Sequence, residues 1–311
     1  RGFFSTLFSR EQLFVKAVDG VTFQVFKGEI FGLIGESGCG KTTLGKTIIR
    51  LYEPTSGKTW FKDIDVYSLD EKEMKKLRRK MQIIYQDPYE SLNPRMTVYD
   101  IVAEPVKVHK IPKSHKEEEE MVLKALEDVE LAPPEEFIYR FPHELSGGQR
   151  QRVAIARALI LHPEFIVADE PVSMLDVSIR AEVLNLMLKL REKFGITYLF
   201  ITHDIAIARN LCDRSAIMYL GKIVELAHIE EIVKKPLHPY AQALIAAVPV
   251  PDPKAERTKV VIKGEVPSPI NPPPGCRFHP RCPKAMDICK KEEPPLIEVE
   301  KNHFVACHLY K

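Results

Sequence analysis

The sequence predicts an α/β fold with a core of parallel strands, a helical subdomain over about 88–162, and a small cysteine-bearing appendix at the C-terminal end. Three observations carry this. Short apolar runs of strand length, Ile30–Ile34, Phe165–Ala168 and Thr197–Ile201, lack the alternation of a half-exposed sheet, as strands covered on both faces do. Stretches with helical spacing of apolar residues separate those runs, the order that builds a parallel sheet. Composition then changes near Pro249: 12 of the 24 prolines lie from there onward, eight of them before Cys276. A stiff linker leading to an appendix is expected over 249–311, after a main unit over 1–248.

The elements follow in order. Val21–Phe26 alternates apolar and polar residues as an exposed strand would, and Ile30–Ile34 is the first buried run. Lys41–Tyr52 carries Leu44, Ile48 and Leu51 at helical spacing, and Gln82–Gln86 reads as a short buried strand. A helix is expected over Glu117–Val129, its run of four Glu forming a solvated first turn, and another over Gly148–Leu161, ended by Pro163. Val183, Leu186, Met187, Leu190 and Phe194 mark one face of a helix that Gly195 stops. Ala216–Leu226, turning at Gly221-Lys222, reads as a hairpin. The period of a solenoid repeat is missing.

Composition excludes several function classes. The 45 basic and 43 acidic side chains leave a net charge of +2, no footprint of a dedicated nucleic-acid binder. No stretch approaches the roughly 20 apolar residues of a membrane-spanning helix. The N-terminus lacks the ordered regions of a secretory signal. Residue 1 is Arg rather than Met, so a true start further upstream is expected, and the apolar opening Gly2–Phe8 reads as a loop or partner contact.

Gly35-Glu36-Ser37-Gly38-Cys39-Gly40-Lys41-Thr42 fits the phosphate-cradling pattern of Gly, four variable residues, Gly, Lys and Ser or Thr, between a strand and a helix. Glycines let backbone N–H groups converge on phosphates, and the helix start adds its positive dipole end. Lys41 reaches the β- and γ-phosphates, the Thr42 hydroxyl can ligate Mg²⁺, and Thr43 completes the binding set. The second half is Asp169-Glu170, delivered by a buried strand to its carboxyl end, where ligands sit in open α/β sheets. Asp169 is placed to hold Mg²⁺ and Glu170 to polarise the attacking water as general base.

Leu145-Ser146-Gly147-Gly148-Gln149, opening a helix, narrows the field: it resembles the signature of ATP-binding cassettes (ABC), which covers the γ-phosphate held by a second cassette. Three further segments match that family in order. Gln86 looks like the glutamine that senses Mg²⁺ and the attacking water. Asp176, in Ser173-Met-Leu-Asp176, resembles the loop that crosses the dimer interface, although the family more often has Ala where Met174 stands. His203, in Ile201-Thr-His-Asp204, resembles the switch histidine on the γ-phosphate. Gln86-Asp-Pro-Tyr-Glu-Ser-Leu-Asn-Pro94, His238-Pro-Tyr240 with Gln242-Ala-Leu244, and the Pro-rich cysteine tail are similar to the subfamily that energises oligopeptide and dipeptide uptake. That subfamily also serves oligosaccharide and nickel importers.

The resemblance implies a P-loop ATPase at the cytoplasmic face of the cell membrane, using ATP and Mg²⁺. It would work with a second, different cassette subunit, two transmembrane permease subunits and, indirectly, an extracellular binding protein. ATP would close two cassettes, each supplying half of both sites, and motion would pass to the permeases through the surface around Gln86 and Met96–Val108. The family's adenine-stacking aromatic is unassigned, Phe14 being the candidate. A DNA-repair ATPase is excluded because only about a hundred residues, without sustained heptads, separate Lys41 from Leu145. A ribosome-associated protein would carry two cassettes, and a redox enzyme would need a second cofactor motif.

Cys276, Cys282, Cys289 and Cys307 are separated by five, six and 17 intervening residues. Four thiolates in a loop-rich segment suit an iron–sulfur cluster or tetrahedral zinc, with His279, His303 or His308 able to replace one thiolate. Disulfides are the third option, disfavoured in a reducing setting. A metal would explain how so little core folds. The family resemblance favours a 4Fe–4S cluster on these four cysteines. Cys212, flanked by apolar residues, reads as a packed side chain.

Overall fold

The computed structural model describes residues 14–248, 262 and 264–311. The apolar opening at 2–8 and most of the proline-rich linker lie outside the described residues.

Ten strands are present among them: β1 (Ile30–Ile34), β2 (Trp60–Phe61), β3 (Ile64–Asp65), β4 (Met81–Ile84), β5 (Phe165–Asp169), β6 (Thr197–Thr202), β7 (Arg214–Tyr219), β8 (Lys222–His228), β9 (Ile297–Glu300) and β10 (His303–Val305). Eight form one sheet in the order β4-β5-β6-β1-β7-β8-β10-β9, and β2 and β3 pair separately. From β4 to β7 all neighbours are parallel; β8, β10 and β9 follow antiparallel. The parallel centre explains the unbroken apolar runs, since β1, β5 and β6 are buried at every position.

Alternate residues of those strands feed two different cores. Ile30, Ile34, Ile166, Ala168, Tyr198 and Phe200 join the larger cluster on one face. Phe31, Leu33, Phe165, Val167, Leu199 and Ile201 join the smaller one on the other.

The helices are α1 (Lys41–Ile48), α2 (Glu71–Leu77), α3 (Pro88–Ser91), α4 (Val98–Val108), α5 (His115–Asp128), α6 (Gly147–Leu159), α7 (Val177–Phe194), α8 (Ile205–Leu211), α9 (Ile229–Lys234) and α10 (Pro239–Ala246). Their ends are set by local chemistry. Asp70 and Glu73 form a reciprocal capping box at α2, Thr97 and Ser114 cap α4 and α5, and Gly195 at φ 65° stops α7. Between β4 and β5 the chain carries α3 to α6 and no strand, the stretch expected to be helical.

Two expectations need correction. Val21–Phe26 forms no strand; Val21, Phe23 and Val25 pack against the smaller core and Phe23 stacks on Phe31 at 5.1 Å, so the alternation records burial without a ladder partner. The helix expected to reach Tyr52 ends at Ile48, where Arg50 turns to φ 54° and the Leu51 N–H reaches back to the Lys46 carbonyl. The appendix, in turn, is no loose tail: β10 pairs with β8 and extends the main sheet.

Candidate active site

The register of the parallel strands brings the site together. Ile34 at the end of β1 lies beside Thr202 at the end of β6, and Asp169 at the end of β5 beside Ile201. The segments that follow, starting at Gly35, Glu170 and His203, therefore leave the sheet along one carboxyl edge.

The loop between β1 and α1 needs its glycines. Gly38 and Gly40 sit at φ 77° and 104°, where a side chain is strained. A Cβ on Gly40 would lie 1.9 Å from the Ala17 carbonyl oxygen, and one on Gly35 2.2 Å from that of Met218. The buried Lys41 Nζ donates to the carbonyls of Gly35 (2.7 Å) and Glu36 (3.0 Å). Its ammonium thus lies inside the loop, next to the Cys39 sulfur at 3.9 Å. Burial pushes the Cys39 thiol up, so it is a packed neutral group in this loop. Ser37 is exposed, and Thr43 is the third residue of α1, where its carbonyl accepts from the Thr47 hydroxyl at 2.7 Å.

Glu170 is the meeting point. Its Oε2 accepts from Gln86 Nε2 at 3.3 Å and lies 3.0 Å from His203 Nδ1, while Oε1 stands 3.8 Å from Lys41 Nζ. Glu170 itself adopts φ 46°, held by its N–H to the Ile201 carbonyl. Beside it the Thr42 hydroxyl donates to Asp169 Oδ1 at 2.9 Å. Burial pushes the Asp169 carboxyl up, an expense that a bound cation would relieve. A hydroxyl and a carboxylate at this spacing form the hard oxygen set that Mg²⁺ takes, with the Gln86 amide within reach of Glu170 next door.

Leu145–Gln149 lies apart from this cluster. Ser146 caps α6: its hydroxyl accepts from the Gln149 N–H at 3.3 Å, and Gln149 Oε1 accepts from the Ser146 N–H at 2.9 Å. Gly148 is required by packing, since a Cβ there would lie 2.6 Å from Ile179 Cγ2. Among the described residues no hydrogen bond or ion pair joins this tip to the phosphate loop. Asp176, exposed at the start of α7, makes no side-chain cap, and Met174 and Val177 beside it are exposed. Phe14, the candidate stacking ring, is 66% exposed.

The cysteines gather. All six in the chain are free thiols, and Cys276, Cys282 and Cys307 stand near enough to other cysteines of the appendix, Cys289 among them, for those neighbours to oppose their ionisation. Burial first, then the neighbouring thiols, push Cys276 up to about 12. The backbone N–H groups two residues on, those of Phe278, Lys284 and Leu309, work against that rise at Cys276, Cys282 and Cys307 respectively. Such N–H donors suit thiolates bound to metal. One ring nitrogen of each nearby histidine is engaged elsewhere: His279 with the Cys276 carbonyl, His303 with Glu225, and His308 with the Glu292 carbonyl. Among the described residues no group of three or more His, Cys, Asp or Glu is arranged to hold a metal ion.

Some contacts have no counterpart in sequence spacing. Tyr89, just after Gln86, lies under the guanidinium of the buried Arg150 in α6, 3.8 Å from ring centroid to carbon, and its hydroxyl accepts from Arg150. Glu36 in the phosphate loop meets Tyr240 and Arg281. Tyr89, Glu36 and Tyr240 each lay in a motif, but Arg150 and Arg281, their partners, carried no such local signal.

Two family descriptions match: ABC transporter over residues 18–173, and oligopeptide/dipeptide transporter C-terminal region over residues 224–289. The chain is 52% identical to a putative oligopeptide transport ATP-binding protein, YkfD, of Bacillus subtilis over 299 residues, covering 96% of this chain and 90% of the relative. It is 52% identical to the oligopeptide transport ATP-binding protein AppF of the same organism, covering 98% and 93%. A putative peptide import ATP-binding protein of Brucella ovis is 50% identical, covering 94% and 92%. Among solved structures it is similar to the ATP-binding cassette MJ0796 in a dimeric post-hydrolysis state bound to ADP and Pi, with 33% identity and TM-score 0.61. That match covers 68% of this chain and 90% of the other.

Proposed function

The chain belongs to the ABC transporter family with an oligopeptide/dipeptide-type C-terminal region, and from that premise we propose that it is the ATP-hydrolysing subunit of a peptide importer. The observation that carries this reading is the Glu170 carboxylate, met by Gln86, His203 and Lys41 beside the Thr42–Asp169 pair.

In this reading the loop N–H groups after Glu36, as far as Lys41, hold the triphosphate, and the Lys41 ammonium neutralises the β- and γ-phosphates. Thr42, Asp169 and Gln86 hold Mg²⁺, whose contribution is to spread the charge that develops on the phosphate oxygens. Glu170 orients water and takes its proton as the water oxygen attacks the γ-phosphorus; the bond to the bridging oxygen breaks and ADP leaves. Gln86 and His203 both hold the carboxylate at its Oε2. Leu145–Gln149 and Asp176 serve the nucleotide of a partner cassette, which is a different chain. Two permease subunits carry the cargo, the chain sits against them at the cytoplasmic face, and a separate binding protein selects the peptide. No helix among the described residues is long and apolar enough to cross a membrane.

The test is reconstitution in liposomes with the permease and binding-protein partners. Peptide-loaded binding protein is expected to raise phosphate release several-fold and to drive peptide accumulation. Stimulation by an oligosaccharide or by nickel in place of peptide would overturn the cargo.

The four cysteines are read as ligands of a 4Fe–4S cluster. The four cysteines are free thiols of one small appendix, Cys276, Cys282 and Cys307 each lie near other thiols of the set, and the burial that resists thiolates is what a bound cationic cluster would offset. After anaerobic purification, iron and acid-labile sulfide near four each per chain are expected, with visible absorption that Cys289→Ser removes. Stoichiometric zinc in a colourless protein would reverse the assignment.

A further inference from the structure

The phosphate loop is gripped from the far end of the chain. The Glu36 carboxylate accepts two hydrogen bonds from the Arg281 guanidinium, Nη1 to Oε2 at 2.8 Å and Nη2 to Oε1 at 3.3 Å, across 245 residues of sequence. The Glu36 backbone N–H donates to the Tyr240 hydroxyl at 2.9 Å.

Arg281 is set for this. Its side chain is only 9% exposed, its guanidinium lies 5.8 Å from the Tyr219 ring centroid, and its own N–H reaches the Phe278 carbonyl at 3.0 Å. Phe278 packs edge-on against Tyr219 at 5.2 Å and tilted against Tyr240 at 5.4 Å. The three rings form a wall between the Cys276–Cys282 turn and the loop. A two-pronged pair held against aromatic faces is planar, directional and partly dry, unlike a mobile surface ion pair.

We propose that Arg281 is a positioning residue of the ATP site: by clamping Glu36 it fixes the glycine loop and makes the cysteine appendix a structural part of nucleotide affinity. Two physical effects act together. A loop with Gly35, Gly38 and Gly40 has much backbone freedom to lose, and a clamp removes part of that loss before nucleotide arrives. Glu36 also places a carboxylate in the loop that cradles a polyanion, and Arg281 offsets that charge. Both effects bear on binding, and neither touches the attacking water or Glu170. The clamp therefore separates affinity from chemistry.

This inference rests on the loop being the ATP site. The test is a double-substitution cycle in the full chain, with MgATP affinity from calorimetry and KM and kcat from phosphate release. Arg281→Ala is expected to raise Kd and KM about tenfold with kcat within about twofold. In the Glu36→Ala background the same substitution is expected to change Kd by less than about twofold, because its partner is gone. If Arg281→Ala is recovered unfolded, Arg281→Lys, which keeps the charge but not the fork, goes through the same cycle with a smaller shift expected. An unmoved Kd, or an equal shift in both backgrounds, overturns the clamp. A wild-type chain that fails to bind MgATP would instead bring down the active-site reading beneath it.

Discussion

Glu170→Gln is expected to cut ATP turnover by about 10²–10⁴-fold while MgATP still binds. The substitution keeps the shape of the side chain and an oxygen that can accept from Gln86 Nε2 or face His203, now at 3.3 and 3.0 Å from Oε2. It removes the only feature those contacts exist to orient, a carboxylate able to take a proton from water. Nucleotide affinity depends on other groups, the loop N–H groups, Lys41 and the Thr42–Asp169 pair, so binding and turnover are expected to part. Single-turnover phosphate release with nucleotide binding measured on the same preparation checks both halves. Turnover at the wild-type rate would strip Glu170 of its role as base.

The site was legible in sequence to the extent that its parts are local. A glycine loop between a buried strand and a helix has few other uses, and two acids ending a buried strand point the same way. The parallel register supplied what linear order could not: Gly35, Glu170 and His203 share an edge because β1, β5 and β6 lie side by side.

Where the reading went astray, the cause was a missing partner. Val21–Phe26 has the alternation of a strand because alternate residues face a core, yet a strand also needs a neighbouring backbone, and periodicity says nothing of that. The same limit hid Arg281. It sits between two cysteines in a segment whose composition suggests only a metal staple, and its partner Glu36 occupies a position the loop pattern leaves variable. Likewise β9 and β10 are too short to announce themselves beyond a proline-rich stretch, but the edge of β8 accepts β10, and β10 in turn accepts β9.

The other large effect is expected across the cassette interface. Ser146 stands at the tip of α6 with its hydroxyl and N–H tied to Gln149, and among the described residues no hydrogen bond links that tip to the chain's own phosphate loop. The surface next to it is built for contact: Val177 is 79% exposed, Met174 61%, and the intervening Leu175 side chain lies 3.4 Å from where a Cβ of Gly147 would be. Ser146→Arg would remove a helix cap, costing about 1 kcal/mol, and would fill the closing gap with a long cation in place of a small donor. ATP turnover in the assembled transporter is expected to fall about a hundredfold or more, the scale for losing one donor to a developing anion. MgATP binding to the isolated chain is expected to stay within about twofold if, as proposed, the nucleotide this serine serves is held by the partner. Calorimetry on the isolated chain and phosphate release from the full assembly separate the two. An equal loss of binding in the isolated chain would place the tip over its own nucleotide and end the case for a site shared between cassettes.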